Sequence, residues 1–183
     1  MKNIAVIGLA PSSHDEAPFL SDEWEKFGLP WDTQWVHMDR LFEMHDMKLI
    51  QGEYCKLPKG YLEKLQEAAR YNPLYMQEEY FEGAIKYPFD CIERPYFNSS
   101  IAYAMALAIS LKPKKIGLWG VDMENHTEEF FYQRPNMEYL VGLAEGKGIE
   151  VYIPEQSPLC KFNPKGINYY NYYPEYKGRY GKI

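Results

Sequence analysis

An apolar segment, Asn3-Ile4-Ala5-Val6-Ile7, passes at once into Gly8-Leu9-Ala10-Pro11-Ser12-Ser13. A run with no polar alternation has no face to turn to water. It predicts a strand covered on both sides, as in a parallel sheet. The loop behind it holds small residues, a proline and two hydroxyls. Open α/β sheets hold phosphate-bearing ligands where such strands end, because small residues let backbone amides come close. The loop is not G-x-G-x-x-G, and it lacks the lysine of a P-loop, so neither standard nucleotide fingerprint applies.

The rest of the chain alternates strand and helix signals. Further strands are predicted at Trp24 to Leu29, Arg40 to Asp46, Pro73 to Gln77, Lys115 to Trp119 and Ile149 to Ile153. Ser12 to Pro18 suits a helix start. Pro58 to Arg70 predicts an amphipathic helix with Tyr61, Leu62, Leu65, Ala68 and Ala69 on one face. Asn98 to Leu111 is apolar nearly all round behind the caps Asn98, Ser99 and Ser100, which predicts a buried helix. Asn136 to Lys147 predicts another, closed by Gly146 and Gly148. Glu78 to Tyr96, with Pro88 and Pro95 and little periodicity, predicts an excursion over the sheet edge. The pattern implies an α/β fold, a Rossmann-like three-layer sandwich. Its sheet is expected to be mostly parallel and about six-stranded, with strand one central and right-handed crossovers.

A chain of 183 residues suits one hydrophobic core, assigned to residues 1–162. Residues 163–183 differ: six tyrosines, two prolines and three glycines without helical period predict an irregular Tyr-rich extension. It is expected to wrap the domain, stay mobile, or pair with a second copy in a homo-oligomer. A net charge of −6 gives no general attraction to nucleic acid or acidic lipid. Three separated cysteines without a C-x-x-C argue against a disulfide framework. With no signal peptide before the first strand and no apolar run of about 18 residues, the expected location is the cytoplasm, with no membrane partner.

Three loops are predicted to meet at the carboxyl edge of the sheet. The first offers Gly8, Ala10, Pro11, Ser12 and Ser13 to a phosphate. The second, Asn98, Ser99 and Ser100, opens the buried helix, where free amides and the dipole favour an anion. The third holds Gly120 and Asp122, an acid suited to a ribose hydroxyl, a sugar or a metal ion. Each also reads as a plain turn or helix cap. Asn125 to Asn136 is polar and aromatic, the profile of a functional loop or lid, in which Tyr132, Gln133, Arg134 and Asn136 are candidate ligand contacts. Glu43 and His45 end the third strand on one side, as a base and its orienter or as a surface pair. His126 is the rival base and His14 a third candidate. No metal site is predicted, since H-x-H, H-E-x-x-H and D-x-D are all missing.

Together, Gly-x-Ala-Pro-Ser-Ser after a strand, Ser-Ser opening a helix, Gly-Val-Asp after a strand and then Tyr-Gln-Arg-Pro-Asn resemble small proteins of tailed bacteriophages and prophages. Through Gly8 to Ser13 and Gly120 to Asp122 the chain also resembles, more distantly, a Rossmann-like group of enzymes. That group includes the archaeal 6-hydroxymethylpterin diphosphokinase (the DUF115 group) and the bacterial sialyltransferases that use CMP-sialic acid. Leu9-Ala10 stand where the enzymes carry Asn-Gly. The resemblance implies a transferase of glycosyl or diphosphoryl groups. Its ligand would be a nucleoside diphosphate or nucleotide sugar, with Mg²⁺ as a candidate companion and Tyr132 on the nucleotide phosphate. A phage protein of this kind would work in the host cytoplasm. Two other classes stay open: a non-catalytic phage accessory protein that sequesters a host nucleotide signal, and a structural or assembly protein.

Overall fold

Asn3–Ile7 form strand β1, and four of the five residues are buried. Ile4 and Val6 enter one core, Ala5 and Ile7 the other, as the two-residue period of a strand requires. The computed structural model describes residues 2–52, 57–94, 97–123 and 128–161, excepting the side chains of 128–131. The elements after β1 are β2 (Trp24–Gly28), β3 (Arg40–Phe42), α1 (Met47–Ile50), α2 (Tyr61–Tyr71), β4 (Leu74–Met76), β5 (Ala84–Lys86), α3 (Ser100–Ser110), β6 (Lys115–Trp119), α4 (Glu128–Gly146) and β7 (Glu150–Tyr152).

The strands make one seven-stranded sheet in the order β5-β4-β3-β2-β1-β6-β7, parallel at every pairing. The chain lays β2 to β5 outward on one side of β1, then crosses back and adds β6 and β7 on the other. Strand order therefore reverses between β1 and β6, and a crevice opens at the carboxyl ends there. β1 is interior, as expected.

Helices cover both faces. Eight of the eleven residues of α3 are buried, which explains its lack of a polar face. With Met137, Leu140, Val141 and Ala144 of α4 it packs on Ile4, Val6, Phe27, Ile116 and Leu118. On the other face Tyr61, Leu65 and Ala68 of α2 meet Leu41, Leu74 and Met76. No described helix is long and apolar enough to cross a membrane.

Three expectations need correction. The sheet has seven strands, not six, because β5 lies inside the segment expected to be irregular. It is three residues long with only Ala84 buried, so it carries almost no apolar signal. Its ladder with β4 and a turn at Gly83 (φ +90°) make it a strand. Second, the last long helix begins at Glu128 rather than Asn136, with Pro135 inside it. Proline usually ends a helix, since it lacks a donor and crowds the preceding turn. Here its fixed φ is already helical, and buried Gln133 and Asn136 on either side tie the turn to the chain before α3. The third strand is also shorter than expected, so Glu43 and His45 lie just past its end. The Tyr-rich extension and His126 lie outside the described residues.

Candidate functional site

The loops after β1 and β6 are pressed together. The Gly8 amide donates to the Trp119 carbonyl (2.8 Å) and the Ala10 amide to the Gly120 carbonyl (2.9 Å). A Cβ on Gly120 would lie 2.5 Å from the Gly8 carbonyl oxygen, and one on Gly8 would strike the Gly120 carbonyl. Gly120 also has φ +62°, which side chains resist. Glycine is required at both places for the loops to close on each other. Ser13 is buried and its Oγ accepts from the Gly120 amide (3.0 Å), while Ser12 Oγ donates to Asp122 Oδ1 (2.7 Å). The two serines thus tie loop to loop and do not line the crevice.

The crevice is a cavity of about 550 Å³, within the range that takes a small-molecule ligand. Gly8, Ala10 and Pro11 line one wall with Gly120 and Asp122. Asn98, Ser99 and Ser100 line it from the start of α3, with Gln133 of α4 behind them. Trp31, after β2, and His45, after β3, close the far end. Sequence reasoning missed Trp31, although it obeys the same rule as its neighbours, following a predicted strand at its carboxyl end.

Polar side chains fix the start of α3. The Asn98 amide donates to Asn136 Oδ1 (3.2 Å), and Gln133 Nε2 donates to the Asn98 carbonyl (3.3 Å). Ser99 Oγ caps the helix by accepting from the Ala102 amide (3.3 Å). Ser100 Oγ accepts from the Met44 amide (3.0 Å), and Gln77 Nε2 donates to the Met44 carbonyl (2.7 Å). The residue between Glu43 and His45 is therefore held from both sides. Gln133 and Asn136 act here from a helix, not a lid. Arg134 lies outside the cavity lining: its Nε donates to Glu138 Oε1 (2.8 Å) and its terminal nitrogen to the Pro158 carbonyl (2.8 Å). Tyr132 is 63% exposed and also lies outside the lining.

Glu43 is 1% exposed. Its Oε1 accepts from the His45 amide (3.0 Å) and pairs with His45 Nδ1, while its Oε2 accepts from the Tyr61 hydroxyl. A carboxylate can only accept, so the facing Nδ1 carries a proton, and in the neutral ring Nε2 is the basic atom. Burial first, then the Glu43 charge and the hydrogen bond to it, push the Tyr61 phenol well above its ordinary range, so it remains a donor. The His45 side chain is 43% exposed. A half-exposed imidazole held by a buried carboxylate can take a proton from a bound hydroxyl. His14 is placed differently: its Nδ1 donates to the Gly8 carbonyl (2.7 Å), and its Nε2 lies 3.2 Å from the buried Asp32 carboxylate. It braces the first loop. Among the described residues no group of three or more His, Cys, Asp or Glu is placed to hold a metal ion.

No protein-family model and no curated protein sequence matches this chain. Solved structures do. The α-2,3-sialyltransferase from Campylobacter jejuni, in apo form, aligns over 89% of this chain and 79% of its own, with TM-score 0.50 and 16% identity. The sialyltransferase CstII from Campylobacter jejuni, in complex with the substrate analogue CMP-3FNeuAc, aligns over 86% of this chain and 81% of its own, with TM-score 0.49 and 17% identity. The chain is thus an α/β protein of Rossmann-like type, with the fold of the first of these enzymes. The sialyltransferase part of the resemblance has a structural counterpart, and the phage and pterin diphosphokinase parts have none among these neighbours.

Proposed function

We propose that this protein is a nucleotide-sugar-dependent glycosyltransferase working in the crevice between β1 and β6. One observation carries the reading: Glu43 holds Nδ1 of His45 at the end of a ligand-sized cavity built at the sheet's switch point. Glycosyl transfer needs a base for the acceptor hydroxyl while the bond from sugar to phosphate breaks. His45 Nε2 takes that proton, and Glu43 compensates the imidazolium that forms. Charge develops meanwhile on the leaving phosphate. The start of α3 offers it the positive end of the helix dipole. The glycine-tight loop lets backbone come near, and Asp122, whose Oδ1 accepts from Ser12, keeps acceptor capacity for a ribose or sugar hydroxyl. The fold shared with an α-2,3-sialyltransferase supports this choice of donor class over diphosphoryl transfer.

The test is a panel of nucleotide sugars, CMP-linked ones included, with and without Mg²⁺. It reads melting temperature and nucleotide release. A donor that raises the melting temperature by several degrees should also be turned over. His45→Ala should then lower turnover by roughly 10²–10⁴-fold while donor affinity stays within a few-fold. Binding without nucleotide release would make the protein a non-catalytic binder. No shift with any donor overturns the proposal.

A further inference from the structure

We propose that Tyr61 is a positioning residue for His45, setting through Glu43 which ring nitrogen carries the proton. The role builds on the reading of His45 as the base. The end of a glutamate side chain rotates easily, because its last torsion has only a broad, shallow preference. Glu43 nevertheless presents Oε1 to both donors of residue 45, the amide and Nδ1. Tyr61 explains this, since its hydroxyl occupies Oε2 from the opposite side. With Oε2 held, the carboxylate plane has one orientation, and Oε1 selects the tautomer with the proton on Nδ1.

Tyr61 is itself fixed. It stands in the first turn of α2, 4% exposed, with its ring stacked on that of Trp31 at 4.1 Å. One turn on, Lys64 Nζ donates to the Trp31 carbonyl (3.1 Å). The same stretch of α2 therefore holds the Trp31 wall of the cavity and the carboxylate behind His45. A phenylalanine would fill the same space and stack the same way. Only the hydroxyl distinguishes support of the base from support of the core.

The experiment uses the full chain with ¹⁵N-labelled histidine rings, His45 being assigned by comparison with His45→Gln. Long-range ¹H–¹⁵N correlation spectra report the tautomer of the neutral ring. The wild type should show His45 mainly protonated on Nδ1. Tyr61→Phe should raise the fraction protonated on Nε2 several-fold. A Tyr61→Phe protein that keeps its tryptophan near-ultraviolet signature and shows the wild-type tautomer overturns the proposal. If Tyr61→Phe does not fold, the wild type still decides: the Tyr61 hydroxyl proton should be a slowly exchanging resonance with contacts to its own ring, and its absence overturns the assignment. Neither readout needs a substrate, so failure here and failure of the transferase reading are separate results.

Discussion

The two sides of the crevice are built by different means. The β1 and β6 side is mostly backbone: two glycines in mutual contact, amides on carbonyls, and a buried serine as a tie. The side formed by β3, α2 and the start of α3 is made of side chains, with Glu43 and His45 bonded locally and Tyr61, Ser100 and Asn136 bonded to partners on other segments. The first side can define a shape and admit a close ligand, and its one histidine among the described residues, His14, is engaged by the Gly8 carbonyl and faces Asp32. The second holds the proposed base, His45, and depends on single side-chain atoms. Damage to the first should therefore appear as lost stability alone, and damage to the second as lost function or altered titration as well.

The largest effect should come from Gly120→Ala. The added methyl meets the Gly8 carbonyl at a backbone conformation that alanine resists, at a cost of roughly 3 kcal/mol or more, read by denaturant unfolding. If the loss is below about 1 kcal/mol, the two loops are not pressed together as described. Asn136→Ala should come next. It leaves the Asn98 amide without its partner, costs about 1–3 kcal/mol, and weakens any ligand held at the start of α3.

A smaller effect concerns pH and falls on the second side. Tyr61 and Tyr87 are both pushed above the ordinary tyrosine value of 10.0, chiefly by burial. Above that pH the unfolded chain releases their protons and the folded chain keeps them. The folded state then binds more protons, so stability is full below pH 10.0 and falls as pH rises past it. Tyr61→Phe should make that fall shallower by up to about 1.4 kcal/mol per pH unit.

Much of this was legible in the sequence, for reasons particular residues show. Apolar runs with no polar alternation marked β1 and β6, since a strand covered on both faces has no other composition available. The cap at Ser99 marked α3. Gly8, Asn98, Gly120, Asp122 and His45 could be placed at one edge because parallel strands all end on the same side. β5 was illegible because hydrogen bonding to β4 holds it with little apolar burial. The start of α4 was misread because Pro135 is a strong local signal that tertiary bonds override. Ser12 and Ser13 looked like phosphate donors because a sequence cannot show which way a hydroxyl turns.

The sequence by itself determined the layered α/β class and the edge where the cavity-lining loops gather, because both follow from local patterns of burial and turn chemistry. Only the tertiary structure decided which groups can act there. Tyr61 reads as a core residue along its helix and becomes the partner of Glu43 only when α2 packs beside β3. Arg134 reads as an anion fork and lies instead on Glu138 and the Pro158 carbonyl. The Tyr61–Glu43 and Arg134–Pro158 contacts join different elements, and they exist only once packing has brought those elements together.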